Sequence, residues 1–104
     1  MGTRIVFFAL ALLAAGWLVW AYHHDKTLRE SSPQVQIGDQ NEVVRDLLGE
    51  PTSEGGCGSL TAVPNGCSRE YVYRYAFSVF RPEYEVVWFD NSGKVIGETR
   101  VVAP

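Results

Sequence analysis

Eighteen consecutive residues, from Ile5 to Tyr22, carry no charge. Arg4 precedes them and the polar run His23-His24-Asp25-Lys26 follows. As a helix they would extend about 27 Å at a rise of roughly 1.5 Å per residue. That nearly matches a hydrocarbon core of about 30 Å. A soluble core helix that is apolar on every face needs protein on every side. The remainder of a 104-residue chain is too small to wrap it. Residues 1–22 therefore read as a signal anchor or a signal peptide, with Ile5 and Tyr22 as the ends of the membrane segment.

Beyond Tyr22 the pattern changes three times. Residues 23–36 are polar, include Ser31-Ser32-Pro33, and read as a linker. His23 and His24, being adjacent, point apart on any regular backbone and read as solvated interface residues rather than a metal pair. From Asp39 to Pro51 the apolar residues Val43, Val44, Leu47 and Leu48 fall at helical spacing. Asp39 is the expected cap, with Glu42 three residues on as in a capping box. Gly49 is the expected C-terminal cap, and Pro51 cannot continue the helix. So short a helix needs a surface to lie on.

From Glu70 the period becomes two. Tyr71, Tyr73, Tyr75, Phe77 and Val79 would share one face of a strand. A second strand follows Pro82, through Val86-Val87-Trp88-Phe89. Asn91-Ser92-Gly93 makes a hairpin turn into Lys94–Val102. Three strands with short connections predict an antiparallel meander, one face under the helix and the other open to water or a partner. The fold class is α+β, with one helix on a three-stranded sheet in residues 37–104. Two readings of the aromatics compete. Strand propensity and core packing account for them, or Tyr71, Tyr73, Tyr75, Tyr84 and Trp88 provide a contact surface, since aromatics are favoured at interfaces.

Residues 51–68 form a Gly-, Ser- and Pro-rich loop holding both cysteines, Cys57 and Cys67. A structureless loop of that length is unusual in a compact domain. A disulfide would account for it, and closing a ring of about 11 residues contributes roughly 3 kcal/mol in the chain-entropy model. Such a bond belongs outside the cytoplasm, whereas free thiols would place the domain inside it. A two-cysteine metal site lacks further ligands, and a catalytic thiol lacks a histidine beyond His24.

Charge narrows the partners. All 12 acidic residues lie beyond Tyr22, against 8 of the 9 basic ones, so the domain side carries about −4. Nucleic-acid binding needs a concentrated basic surface, and there is none. No phosphate loop or nucleophile with its base occurs, so no enzyme, cofactor or small-molecule substrate is expected.

The string Ile37-Gly38, Glu42-Val43, Leu48-Gly49 and Pro51, then Tyr73, Val87-Trp88-Phe89-Asp90 and Gly93-Lys94-Val95, resembles the SmpA/OmlA family of BamE-type domains over about residues 36–102. The resemblance implies helices on a three-stranded antiparallel sheet, in the bacterial envelope, without catalysis, contacting proteins of an outer-membrane assembly machine and envelope lipid. Three departures accompany it. Leu13-Ala14-Ala15-Gly16 resembles a lipoprotein cleavage motif, but Trp17 stands where the lipidated cysteine belongs. There is one clear helix where the family has two. The cysteine-bracketed loop is additional.

The expected protein is a membrane-anchored, non-catalytic envelope module. It holds lipid through its N-terminal helix, faces the periplasm from the inner membrane, and binds another envelope protein. Length and the cluster Trp17, Trp20 and Tyr22, suited to a membrane–water interface, favour an uncleaved anchor. Arg4 favours a cytoplasmic N-terminus, whereas Lys26 and Arg29 pull the other way. The alternative is a soluble periplasmic binding or inhibitor-like module, cut after Val19-Trp20-Ala21 or Ala14-Ala15-Gly16.

Overall fold

The apolar segment begins a helix that does not stop where the apolar residues do. In the computed structural model, which describes residues 2–78 and 80–102, helix α1 runs unbroken over Gly2–Ser31. A single 3-10 turn, Ser32–Gln34, follows and admits Pro33 in its first turn. The polar stretch expected as a linker is therefore mostly helix. Its residues explain why: Leu28 is fully buried and Asp25 is 3% exposed, so this part of α1 packs onto the domain.

Helix α2 spans Asn41–Leu48 and buries Val44 and Leu48, with Leu47 packed beside them and Val43 exposed. Gly49 caps its C-terminus as expected. It takes φ 83°, a left-handed value that glycine adopts without a Cβ clash, and its N–H donates to the Arg45 carbonyl. Asp39 does not cap the N-terminus. Gln40 holds that position without a side-chain bond, and the Asp39 carboxylate accepts from the Gln36 N–H at 2.9 Å. The cause is a stitch to the sheet: Gly38 N–H donates to Val95 O, Val95 N–H to Asp39 O, and Asn41 N–H to Gly93 O. These bonds hold Asp39 and Gln40 against the β3–β4 hairpin, so the helix starts one residue later than expected.

The sheet has four strands, not three: β1 Ser53–Gly55, β2 Arg69–Arg74, β3 Glu83–Phe89 and β4 Val95–Val102. They lie in the order β1-β2-β3-β4, all antiparallel. The extra strand arises inside the cysteine loop. Ser53 to Gly55 has little strand propensity, and it forms by pairing with the free edge of β2, Glu54 opposite Tyr71. The expected turn over Asn91–Gly93 is present. The Asp90 carboxylate accepts from Lys94 N–H, Ser92 Oγ–H and Ser92 N–H, bonds that lower its pKa from the ordinary carboxylate value, the Lys94 bond first.

Pleating divides the buried residues between two faces. On one, Tyr71, Tyr73, Val87, Phe89 and Val95 meet Leu28, Val35, Val44 and Leu48. On the other, Val72, Val86 and Trp88 lie beneath the cysteine loop, packed by Cys57, Val63 and Cys67. The second face, expected to be open, is roofed by that loop. Beyond β2 the expected alternation ends. Phe77 lies in a turn and is 44% exposed, and Val79 lies outside the described residues.

Candidate functional site

The junction of α1 with the sheet brings the most distant parts of the chain together. Trp17, Ala21, Asp25, Leu28 and Ser32 recur every three or four residues and form one stripe down the helix. Ala21, inside the apolar run, has no exposed surface. One turn on, the Asp25 carboxylate accepts the N–H groups of Ala76 at 2.6 Å and Phe77 at 3.1 Å. These amides belong to the loop joining β2 to β3, which has no strand partner for them. A charge-assisted bond of this kind contributes about 1.5–3 kcal/mol. His24 Nε2 lies 3.0 Å from the Arg74 carbonyl. A carbonyl only accepts, so this nitrogen carries the proton and donates. His24 is thus docked on the sheet rather than merely solvated, and Trp20 stacks on its ring at 5.0 Å between centroids.

The same loop reaches down the helix. Phe77 meets Trp17 edge-to-face at 5.8 Å. Asp25 and Trp17 are eight residues apart, about 12 Å along the axis. Tyr75 N–H donates to Glu83 O, closing the base of the loop, and Ser78 Oγ–H donates to the Tyr75 carbonyl at 2.6 Å. Two grooves flank α1 here. One of about 460 Å³ is lined by Trp17, Trp20, His24, Arg74, Tyr75 and Ala76. The other, about 250 Å³, is lined by Tyr22, Asp25, Lys26, Arg29 and Phe77.

Behind the junction lies a polar cluster. Tyr75 O–H donates to Glu85 Oε1 at 2.8 Å, and Arg100 reaches both Glu85 (3.0 Å) and the Tyr75 oxygen (3.1 Å). Arg29, from α1, places its guanidinium 5.6 Å from the centre of the Tyr75 ring. Burial, then the bond to Glu85, pushes the Tyr75 phenol up to about 12. Glu98 shares this face and accepts from Ser32 Oγ–H at 3.4 Å. Burial, then the Glu85 charge, pushes its carboxyl up to about 7.

The cysteine loop has its own anchor. Glu70, 2% exposed, accepts from Gly58 N–H (3.0 Å), Ser59 N–H (3.3 Å), Ser59 Oγ–H and Trp88 Nε1–H (3.3 Å). Cys57 and Cys67 are bonded, with Cα atoms 6.3 Å apart.

The aromatics considered as a contact surface do not form one. Tyr71, Tyr73 and Tyr75 are buried against the helices, Trp88 is buried under the cysteine loop, and Tyr84 is half-buried beside Trp88's cluster. The tyrosine hydroxyls find partners inside: Tyr73 O–H donates to Gly49 O, and Tyr71's oxygen accepts from Arg45 Nε–H. The exposed aromatics among the described residues are instead Phe7, Phe8, Trp17, Trp20, Tyr22, Phe77 and Phe80, on α1 and the β2–β3 loop. Among the described residues no group of three His, Cys, Asp or Glu side chains is placed to hold a metal. No family model, curated protein or solved structure matches the chain.

Sequence reasoning missed Asp25, His24 and Leu28 as docking residues. The signal was the spacing of Trp17, Ala21, Asp25 and Leu28, which crosses the border between the apolar and polar stretches. Dividing the chain at that border split the stripe in two.

Proposed function

We propose that this is a single-pass envelope membrane protein. Its N-terminus lies in the cytoplasm, and its disulfide-bonded domain is a non-catalytic interaction module on the periplasmic side of the inner membrane. The observation that carries the reading is the continuity of α1. The helix is long and apolar enough to span a membrane, and its last turns belong to the domain core through Asp25 and Leu28. Cleavage after Ala21 would remove that packed residue and the Trp17–Phe77 contact, and would start the chain one turn before Asp25. The disulfide supports the oxidising side. The buried carboxylates support a structural role, because each spends its bonds on the fold: Asp25 on the β2–β3 loop, Glu70 on the cysteine loop, Glu85 on Tyr75 and Arg100. The SmpA/OmlA resemblance supports a place in envelope assembly. The docked end of α1 supplies a second helix on the sheet, which the sequence pattern had lacked.

The test is fractionation of a C-terminally tagged chain, with intact mass and a thiol count. The expected result is full-length protein in the membrane fraction with no free thiol. A soluble product beginning at Tyr22 would favour a released periplasmic binder. Free thiols on a cytoplasmic domain would overturn the envelope reading.

A further inference from the structure

We infer that the β2–β3 loop is a second membrane contact, inserting Phe80 and Phe77 into the lipid interface beside the spanning helix. This rests on the membrane-anchored reading of α1. The argument is one of depth. Trp17 lies five residues inside Tyr22, the last residue of the apolar run, or about 7 Å along the helix. When Ile5–Tyr22 spans the bilayer, Trp17 is at the inner edge of the interfacial layer. A ring in contact with it cannot stand in bulk water. Phe77 is that ring, at 5.8 Å.

The loop is held at this depth. Asp25 takes the Ala76 and Phe77 amides, His24 takes the Arg74 carbonyl, and the Tyr75–Glu83 bond closes the base. The domain therefore cannot swing away on a tether; α1 carries the loop with it. Phe80, three residues further and within about 10 Å of chain, is 98% exposed. Among the described residues, no other large hydrophobic side chain of the sheet domain is so exposed. An isolated phenylalanine in water gains nothing, whereas burial in the acyl boundary removes its apolar surface from water. The loop chemistry fits lipid. Tyr75 to Pro82 contains no acidic residue, and Arg81 follows Phe80 at a position suited to a phosphate headgroup. Lys26 and Arg29 border the groove on the same side as Phe77, together with Asp25, which is spent on the loop amides, and Glu30.

The experiment uses the full chain in phosphatidylcholine bilayers containing lipid spin-labelled near the top of its acyl chain, to probe positions 80 and 91, or near the end of that chain, to probe position 12 at mid-span. Three single-cysteine additions, Phe80→Cys, Leu12→Cys and Asn91→Cys, each carry one environment-sensitive fluorophore, with intact mass confirming a single label. Cys57 and Cys67 are bonded and do not react. Phe80 and Asn91 are exposed, so neither substitution removes a core contact. Asn91 marks the far end of β3, about 20 Å from Glu83 at strand rise. The expected result is quenching at position 80 exceeding that at 91 by about two-fold or more, as for a group 5–10 Å into the boundary, with 12 quenched as part of the span. Quenching at 12 but not at 80 would overturn the loop contact and leave the anchor intact. Absence of quenching at 12 would overturn the anchor, and the loop contact with it.

Discussion

The first nineteen residues of α1 and its last eleven are one helix of two opposite characters. From Gly2 to Trp20 every residue is exposed, and the exposed groups are almost all apolar. From Ala21 to Ser31 the composition is polar, yet this is the part with buried side chains. In an aqueous domain the order would be reversed. On the membrane-anchored reading proposed above, hydrophobicity marks where the helix meets lipid, and specific contacts mark where it meets protein. Leu28 enters the core and Asp25 supplies acceptors for backbone groups fifty residues away.

Several substitutions break or sharpen that contrast. The largest effect is expected from Leu28→Ala, which leaves a cavity between α1 and the sheet. It should cost the domain about 3 kcal/mol in chemical unfolding of the detergent-solubilised chain, while Leu12→Ala in the apolar half should leave domain unfolding unchanged. Replacing both cysteines, Cys57→Ser with Cys67→Ser, should cost slightly less, about 2.5–3 kcal/mol. That loss acts on the opposite face of the sheet, so the docking of α1, read by amide exchange at residues 24–28, should persist. Asp25→Ala removes the acceptor for two loop amides and should cost about 1.5 kcal/mol. Its specific mark is faster exchange of the Ala76 and Phe77 amides, which loss of packing at Leu28 alone would not single out.

The smallest effect is tied to pH. The Glu98 carboxyl sits at about 7 in the fold against an ordinary 4.5. A raised value means the folded state holds the proton more tightly. This contribution to stability is fully present below about 4.5 and is lost as pH rises through about 7. Glu98→Gln should therefore stabilise the domain at pH 8 by about 1 kcal/mol, after allowing for solvent screening at a half-buried site, and change little at pH 4.5. An equal effect at both values would sink this account of the cluster.

Much of the fold was legible because local chemistry agreed with tertiary need. Gly49 before Pro51 ends α2, Asn91–Gly93 turns β3 into β4, and the cysteines close the long Gly-, Ser- and Pro-rich loop that called for a staple. What was illegible depended on distant partners. β1 has no pattern of its own and exists only as the edge partner of β2. Asp39 was a plausible cap until residues 38–41 were claimed by Gly93 and Val95. Tyr71, Tyr73 and Tyr75 looked amphipathic enough for a surface. Their hydroxyls are satisfied inside by Arg45, Gly49 and Glu85, so the rings can be buried. The candidate site suffered most. Its residues straddle the boundary at Tyr22 that hydropathy draws most sharply, and hydropathy carries no information on which polar residue beyond that boundary will find a partner.

The central claim is that one continuous helix serves both as anchor and as a packing element of the domain. Hydrogen exchange on the full-length chain in lipid nanodiscs tests it most directly. Slow exchange at every amide from Tyr22 through Glu30 is predicted, comparable with the core strands β2 and β3. Fast exchange across residues 23–30, with β2 and β3 still protected, would show a flexible tether between anchor and domain and would contradict the account.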